Sequence, residues 1–437
     1  MNKSMVLLDV AGLDLQHVKM SCMPNLATLL NNGNLFKMLP IFPPVTLPVQ
    51  ASITTGLFPR DHGIVANGFF FPERLQVSFW EQSAMLVQGS RIWDRLKSKN
   101  PDFRSAALFF QNTMFAGCDA VITSMPLHID SQLIPWCYSK PAGLYEDITG
   151  RLGPFNLQYY WGPLASIESS RWIAKAAVEV IDMLQPNLLM VYLPHLDYIL
   201  QRFGPDRPCI AGELEIVDNE IGRIIDKAKE NDKDTSFIIL SEYKFQKVNG
   251  DIPINRILRR QGFLNVRPIQ GREYLDVELS EAFAMVDHQI AHIYIHPGRE
   301  EEVKNCLREV KNIELVLNRN DQKIFGIDHS RSGLLVAVSN KDKWFSYPWW
   351  EDRSVEPFFA PLIDIHNKPG YDPLELILEP GMTEISQNTS LVKGSHGYPA
   401  LPDEGEVPFI ISGVDSRQVP ENMSAIHVAK IIESYFA

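Results

Sequence analysis

Short runs of apolar residues alternate with longer amphipathic segments along the chain. The runs at 5–10, 188–193 and 237–240 are apolar at nearly every position, which is typical of strands buried on both faces of a parallel sheet. The segments at 171–184 and 211–229 repeat apolar residues at helical spacing. This alternation predicts an α/β protein, a three-layer α/β/α sandwich with a mostly parallel central sheet.

The pattern changes in the second half of the chain. Residues 246–360 combine short strand candidates with a charged helix and many turn formers, so we predict an inserted α+β subdomain there. The aromatic cluster at 344–350 is typical of core packing or of the edge of a hydrophobic lid. We expect residues 1–245 and 361–437 to form one core, with 246–360 as a cap-like insertion.

Composition is that of an ordinary folded protein. The chain has 437 residues, 45% apolar and 22% charged, which excludes a disordered or fibrous class. Its 41 Lys and Arg against 53 Asp and Glu give a net charge of −12, which argues against binding to a nucleic acid duplex, because such binding depends on basic contacts to phosphate. A small phosphorylated substrate stays compatible, since a metal ion inverts the local charge.

Targeting and redox signals are sparse. The first apolar run stops at Asp9, and no stretch approaches the ~20 apolar residues of a membrane helix. The five cysteines are scattered without a C-x-x-C pair, which fits reduced thiols. We expect a cytoplasmic protein without membrane association.

Three of the predicted strands run into acidic residues, namely Asp9, Asp197 and Glu242. The carboxyl ends of parallel strands meet at one edge of a sheet, where ligands bind in such folds. One such acid is more often a helix cap or a turn residue. Three carboxylates at one edge would repel one another unless a cation lay among them, so together with His396 in a glycine loop they indicate a metal site.

Thr46 lies between prolines in the segment PPVTLP at 43–48. The prolines stiffen the chain on both sides of its hydroxyl. A helix at 50–55 would direct its N-terminal amides at that hydroxyl, which favours an anion or an alkoxide. A proline-rich turn with Thr46 as a helix cap is the alternative that the pattern leaves open.

The segment TLPVQASITTGLFPRDHGIVANG at 46–68 resembles the nucleophile segment of the nucleotide pyrophosphatase/type I phosphodiesterase family, within the alkaline phosphatase superfamily. Further matches are LLD at 7–9, MPNL at 23–26, IWD at 92–94 and GSHGY at 394–398. The resemblance spans about 5–245 and 390–415 and is weak at 246–390. It implies an alkaline-phosphatase-like fold and a hydrolase acting on phosphoester or pyrophosphate bonds.

The resemblance also implies roles for single residues. Thr46 corresponds to the nucleophile and, with Asp9, to a ligand of the first of two zinc-like ions. Asn67 corresponds to the side chain that hydrogen-bonds a non-bridging phosphate oxygen. Asp197 and His396 correspond to ligands of the second ion.

Two histidines of the family pattern are absent from this chain. Gln201 stands four residues after Asp197, where the family has a histidine, and Glu242-Tyr243 stands where the family has an Asp-His pair. Glu242 can ligate a metal as an aspartate does, whereas Tyr243 is a poor zinc ligand. The loss of imidazoles weakens a zinc site, because zinc prefers nitrogen and sulfur donors.

Two other histidines are candidates to replace the lost donors. His195 lies two residues before Asp197, and an extended segment would direct both side chains to the same side. His366 has the same spacing from an aspartate and lies in a loop. We interpret the Asp287-His288 pair as a coincidence or a subdomain contact, because its apolar strand follows it instead of preceding it.

These features predict a metal-dependent phosphodiesterase or nucleotide pyrophosphatase with a threonine nucleophile and two divalent metal ions, with zinc expected. A nucleotide or another small phosphodiester is the expected substrate, with candidate stacking residues Trp80, Tyr159, Tyr160 and Trp161. The alternatives are a related phosphomonoesterase, sulfatase or phosphonate hydrolase, and a degenerate, non-catalytic module that binds a phosphate ligand. The oligomeric state is left open.

Overall fold

The computed structural model describes residues 3–129, 132–365, 367–379, 381 and 384–437. Within them the α-helices are α1 Leu15–Val18, α2 Pro24–Leu30, α3 Thr46–Thr55, α4 Pro59–His62, α5 Ile92–Lys99, α6 Leu144–Leu152, α7 Ile167–Leu184, α8 His195–Phe203, α9 Ile210–Asn231, α10 Ile254–Arg260, α11 Glu300–Arg308, α12 Arg319–Phe325 and α13 Val428–Phe436. None of these described helices is both long enough and apolar enough to cross a membrane.

The strands of the described residues form one large sheet and several small ones. They are β1 Met5–Val10, β2 Gly33–Met38, β3 Gly68–Phe71, β4 Gln76–Phe79, β5 Ser105–Leu108, β6 Ala120–Ser124, β7 Leu127–Ile129, β8 Gln132–Ile134, β9 Cys137–Lys140, β10 Leu188–Leu193, β11 Ser236–Leu240, β12 Gln246–Lys247, β13 Asp251–Pro253, β14 Val266–Ile269, β15 Arg272–Leu275, β16 Ala282–Asp287, β17 Ile290–Ile295, β18 Ile313–Leu317, β19 Leu335–Ser339, β20 Trp344–Ser346, β21 Gly394–Ser395 and β22 Val407–Ser412.

The central sheet has eight strands in the order β2-β22-β11-β1-β10-β5-β6-β9. The strands from β11 to β6 run parallel, whereas β22 is antiparallel to both of its neighbours and β9 is antiparallel to β6. β1, β10 and β11 are buried at every position, as the unbroken apolar runs require, because helices cover both faces. The predicted α/β sandwich with a mostly parallel central sheet is confirmed.

The strand register brings the acidic residues to one edge of this sheet. Asp9 of β1 lies between Tyr192 of β10 and Leu240 of β11. Glu242 follows β11 by two residues, and Asp197 lies in the first turn of α8, directly after β10. All three carboxyl groups therefore belong to the carboxyl edge of the parallel strands.

A second, four-stranded antiparallel sheet is formed by β16, β17, β19 and β18. Its core takes in most of the aromatic cluster at 344–350, which is buried as the packing interpretation requires. Ala66, Val77 and Phe79, from the N-terminal part of the chain, also belong to this core. The domain boundaries at 246 and 360 stay a prediction.

Two helix starts differ from the sequence prediction. α3 begins at Thr46, four residues earlier than predicted, because Pro48 is tolerated in a first helical turn, whose N–H groups have no helical partner. α8 begins at His195, immediately after β10, where an extended segment was expected. Both differences change the geometry of the candidate site.

Candidate active site

A cavity of about 1070 Å³ lies at the carboxyl edge of the central sheet. Its wall includes Thr46, Asp197, Tyr243 and His396. Further aromatic lining residues are Trp80, Tyr160, Trp161, Tyr192, Tyr198 and Tyr371. The described residues that line the cavity include no Lys or Arg. No such side chain therefore compensates the negative charge of an anionic ligand there.

Thr46 is the first residue of α3 and is almost fully buried. The Leu47 N–H donates to Asn67 Oδ1 (3.0 Å), the Val49 N–H donates to the Val45 carbonyl (3.2 Å), and Pro48 has no N–H. Within the described hydrogen bonds, the Thr46 N–H is thus the first-turn amide without an intramolecular acceptor. An open amide at a helix N-terminus favours an anion.

Asn67 holds this helix start against the second sheet. Its backbone N–H donates to Asp287 Oδ2 (2.8 Å), and its side-chain amide donates to Asp287 Oδ1 (3.1 Å). Burial raises the pKa of Asp287 to about 7, although the Asn67 hydrogen bonds act in the opposite direction. Asn67 is fully buried and is not among the residues that line the cavity, so the phosphate contact that the family pattern implies stays a prediction.

Asp9 and Glu242 form a buried carboxyl pair, and both side chains are 0% exposed. Gln50 donates to Asp9 Oδ2 (3.1 Å). No hydrogen bond from the described residues reaches Asp9 Oδ1 or either oxygen of Glu242, although Gln50 and Asp9 lie close enough to Glu242 to affect its pKa. Burial raises the pKa of Asp9 to about 7, and burial together with the charge of Asp9 raises the pKa of Glu242 well above its usual value.

Asp197 lies in the first turn of α8, and Gln201 lies one turn further on. The i, i+4 spacing puts both on one helix face, and Gln201 Nε2 donates to Asp197 Oδ2 (2.6 Å). Gln201 Oε1 in turn accepts from the Tyr371 hydroxyl (2.8 Å). Burial raises the pKa of Asp197 to about 7.

Tyr243 lies between Thr46 and Asp197. Its hydroxyl donates to Asp197 Oδ1 (3.1 Å) and lies 3.3 Å from Thr46 Oγ1. Its ring stacks on the His396 imidazole, with centroids 3.6 Å apart. A tyrosine thus occupies the space between the proposed nucleophile and the Asp197 carboxyl group.

His396 is oriented by the backbone of the proline-rich segment. Its Nδ1 lies 3.0 Å from the Pro44 carbonyl, which can only accept, so Nδ1 carries the hydrogen. Nε2 then has its lone pair free, 3.6 Å from Asp197 Oδ1. Burial lowers the pKa of His396 to about 3, so the ring is neutral and suited to ligation.

Of the two proposed replacement histidines, His195 does not join this group. Because His195 and Asp197 lie in a helix, side chains two residues apart point in different directions, and the expectation of an extended segment was wrong. His195 Nε2 instead lies 2.6 Å from Glu213 of α9, which lowers the pKa of Glu213. His366 lies outside the described residues, and its proposed ligation stays a prediction.

His288 lines the cavity, although the sequence pattern was interpreted as a coincidence or a subdomain contact. It follows β16 in the left-handed region (φ 61°) and packs between His396 (3.7 Å) and Tyr371 (3.9 Å). Burial and the neighbouring His396 lower the pKa of His288 well below its usual value. The Asp287-His288 pair at a turn between two apolar strands was the available signal. Asp287 contacts Asn67, and His288 faces the cavity.

Comparison with known proteins gives the same assignment as the motif. The family model described as type I phosphodiesterase/nucleotide pyrophosphatase matches residues 5–372. The chain belongs to this family. The match runs through most of the 246–390 region, where the motif resemblance is weak, and it ends before His396.

Among curated relatives in the family, an uncharacterized pyrophosphatase/phosphodiesterase of Schizosaccharomyces pombe is 23% identical over 276 residues, covering 62% of this chain and 50% of the relative. Ectonucleotide pyrophosphatase/phosphodiesterase family member 1 of Rattus norvegicus is 25% identical over 233 residues, covering 52% of this chain and 22% of the relative. The chain thus spans half or less of the length of these curated relatives.

Solved structures show the same fold over the whole chain. Murine ectonucleotide pyrophosphatase/phosphodiesterase 5 superposes with a TM-score of 0.64 at 15% identity, covering 99% of this chain and 95% of that chain. Phosphonoacetate hydrolase from Sinorhizobium meliloti 1021, in complex with phosphonoformate, has the same TM-score and identity and covers 100% and 96%. At this identity the likeness establishes the fold alone.

The metal ligands of the family pattern are only partly present in this family member. No group of three or more His, Cys, Asp or Glu side chains in the described residues is placed to hold a metal ion. What remains is the Asp9/Glu242 pair, which Gln50 of α3 contacts, and Asp197 with His396 beside Tyr243. These two donor sets differ in how many of their lone pairs are already hydrogen-bonded.

Proposed function

We propose that this protein hydrolyses a small phosphoester in the cavity, with Thr46 as the attacking residue. The position of Thr46 carries this proposal, because its side chain lines the cavity at the start of α3, where an open amide can receive a phosphate oxygen. Family membership supports the same reaction class. A murine neighbour in the family is inactive when a threonine is changed to alanine, and it was solved with AMP.

The Asp9/Glu242 pair, which Gln50 of α3 contacts, fits one divalent cation. Asp9 Oδ1 and both oxygens of Glu242 are buried without a hydrogen bond in the described residues, and buried carboxylates need a compensating charge. We therefore propose that Asp9, Glu242 and the Thr46 hydroxyl hold one ion. Ligands that are all oxygen suit Mg²⁺ or Mn²⁺ better than the expected zinc. When bound, such an ion neutralises the carboxylates and lowers the pKa of the threonine hydroxyl.

The chemical step needs water and the ester. The Thr46 oxygen gives up its proton and forms a bond to phosphorus as the bond to the leaving oxygen breaks, and the proton released is transferred through water to the leaving oxygen. Water then attacks the phosphothreonine, which restores the Thr46 hydroxyl and releases the phosphate product. Asn67 contributes by fixing the Leu47 amide, so that the Thr46 N–H faces the same point in both steps.

The cavity favours a phosphodiester over a monoester. A monoester dianion carries more charge than a diester, and no Lys or Arg is present among the described lining residues to meet that charge. Trp80, Tyr160 and Trp161 line the wall, where an aromatic ring that stacks on a base contributes about 1–3 kcal/mol. Tyr159, the fourth predicted stacking residue, is not among the lining residues.

A binding module without turnover is the second candidate. Gln201 and Tyr243 stand where the family pattern has metal ligands, and both are already hydrogen-bonded within the protein. A nucleotide could then occupy the aromatic wall without being cleaved. Under this alternative the Thr46 hydroxyl contributes only a hydrogen bond to the ligand.

Turnover of three nitrophenyl esters, each with Mg²⁺, Mn²⁺ or Zn²⁺, separates these candidates. Bis-p-nitrophenyl phosphate and the p-nitrophenyl ester of thymidine 5′-monophosphate should be cleaved faster than p-nitrophenyl phosphate. Thr46→Ala should lose at least about 10³-fold in kcat, whereas Thr46→Ser keeps part of it. Wild-type protein that binds thymidine monophosphate but cleaves none of the esters supports the binding module. Equal turnover by Thr46→Ala removes Thr46 from its role.

A further inference from the structure

Thr46, Tyr243, Asp197, Gln201 and Tyr371 form one continuous hydrogen-bonded chain under the cavity. The successive distances are 3.3, 3.1, 2.6 and 2.8 Å. We infer that this series of hydrogen bonds takes the place of the family's second metal ion. In the absence of that ion, the Tyr243 hydroxyl positions Thr46. The inference rests on the proposed function for the reaction, but its statement about the metal holds independently.

The direction of these hydrogen bonds follows from counting hydrogens. The single hydroxyl hydrogen of Tyr243 is donated to Asp197, so in the 3.3 Å contact the Thr46 hydroxyl must be the donor. The Thr46 hydrogen therefore points toward Tyr243, and its oxygen lone pairs are free for other partners. A phenol oxygen thus fixes the rotamer of the nucleophile.

The acceptor at the centre of the chain is already occupied. Asp197 Oδ1 accepts from Tyr243, and Asp197 Oδ2 accepts from Gln201. Gln201 is itself held by Tyr371, so its amide cannot turn without breaking a second buried hydrogen bond. A cation at Asp197 would have to share these oxygens with the Tyr243 and Gln201 donors or displace one of them.

In the part of the chain that the structure describes, too few free ligands remain for a second ion. Among the described residues, His396 is the histidine with a ring nitrogen recorded close to Asp197, and zinc sites in proteins use at least three protein ligands. The described residues contain no third His, Cys, Asp or Glu that completes the group. The Tyr243 ring is also pressed against the His396 ring, with the two planes parallel.

Metal content of the purified protein tests the first part of the inference. Metal-free protein is loaded with excess Zn²⁺ or Co²⁺, dialysed and analysed by mass spectrometry of the metals. We expect no more than one ion per wild-type chain and an additional ion when Tyr243→His and Gln201→His are combined. The added Co²⁺ should show the strong visible absorption of a four-coordinate site with nitrogen ligands. Two ions in the wild type, with that absorption, overturn the inference.

The variant that combines Tyr243→His and Gln201→His can also contradict the inference. If circular dichroism shows it folded and it still gains no ion, Tyr243 and Gln201 are not what excludes the second metal. None of these measurements needs turnover. A wild type that cleaves no ester therefore contradicts the proposed function and leaves the metal count to decide this inference.

The positioning role is tested with Tyr243→Phe, which keeps the ring on His396 and removes the hydroxyl. We expect kcat to fall about 10- to 100-fold, with KM changed less than about threefold and the metal content unchanged. Tyr398→Phe is the matched control, because its phenol binds Glu314 away from the cavity and its loss should leave kcat unchanged. Unchanged kcat in Tyr243→Phe shows that the phenol does not position Thr46.

Discussion

The Tyr243 ring and the His396 ring lie parallel, with their centroids 3.6 Å apart. The stacking follows from a short strand pair, because β12 begins three residues after Tyr243 and pairs with β21, which ends directly before His396. Gln246 faces Ser395 in this pair. The C-terminal glycine loop is thereby fixed over a residue that follows the central strand β11, and both rings reach the same cavity.

The Asp9/Glu242 pair predicts a metal-dependent stability. With a divalent ion at a hundred times its Kd, wild-type protein should gain about 2.7 kcal/mol in free energy of unfolding. Glu242→Gln should lose this gain and, without metal at pH 8, should be more stable than wild type, because one of two buried carboxyl groups is neutralised. Thermal melts with and without Mg²⁺ or Mn²⁺ measure both effects. An equal metal-induced shift in the two proteins places the ion elsewhere.

Asn67 predicts a combined loss of stability and activity. Asn67→Ala removes the acceptor of the Leu47 N–H and a donor to the buried Asp287, which should cost about 1–3 kcal/mol in free energy of unfolding and lower kcat. Asn67→Asp should be worse, because it brings a second carboxyl group against Asp287. Urea denaturation and ester turnover check both variants. Recovery of stability in Asn67→Asp would contradict the contact with Asp287.

Lys368 predicts a large stability effect away from the reacting atoms. Its ammonium group is 1% exposed and lies 2.7 Å from Asp372 and 2.8 Å from Glu375, and Glu375 also accepts from the Trp161 indole (2.5 Å). Lys368→Met leaves two buried carboxyl groups without their cation and should cost about 3–5 kcal/mol in free energy of unfolding.

The matched control for Lys368 is Lys37→Met. Lys37 also has two carboxylate partners, but its side chain is 54% exposed, so its replacement should change the urea midpoint much less. Equal shifts in the two variants would show that the buried cluster contributes nothing beyond a surface ion pair.

His62 predicts a loss of stability on acidification. Its Nδ1 accepts from the Ile64 N–H (3.1 Å) and its Nε2 lies 2.9 Å from Ser52 Oγ, an arrangement that requires a neutral ring. Burial lowers the pKa of His62 to about 3, below the usual 6.5. The unfolded chain therefore binds a proton between these values that the folded chain does not, and stability present above pH 6.5 falls as the pH falls.

From pH 6.5 to 5 this single group should remove about 2 kcal/mol from the free energy of unfolding. His62→Gln should show a shallower loss than wild type over the same interval in urea titrations. His296→Gln, at an exposed histidine, controls for the removal of an imidazole as such. Identical slopes in His62→Gln and wild type would contradict the assignment.

The sheet and the position of the nucleophile were accessible from sequence because their signals are local. The runs at 5–10 and 188–193 match β1 and β10 residue for residue, since a strand buried on both faces is apolar at nearly every position. Thr46 was singled out by its flanking prolines and by the motif at 46–68. The start of α3 was misplaced, because a proline in a first turn resembles a helix breaker.

The partners of these residues were not accessible, because they depend on contacts between distant segments. Asn67 and Asp287 are 220 residues apart, and no local pattern links them. His195 was predicted to share a metal site with Asp197, because an extended segment was expected after β10. The structure has a helix there, and this helix directs the His195 ring toward Glu213. The role of Tyr243 needed the side-chain geometry, since the sequence shows only that a histidine is absent.

The hydrogen bonds between Asn67 and Asp287 join the nucleophile's helix to a sheet that folds around a different core. The helix that carries the Thr46 hydroxyl is therefore held by contacts to both the central core and the core of the second sheet. Any segment that replaced the second sheet would have to supply an acceptor oxygen at the position of the Asp287 carboxyl group. Without that oxygen, Asn67 and the start of the helix that carries Thr46 would lose this contact.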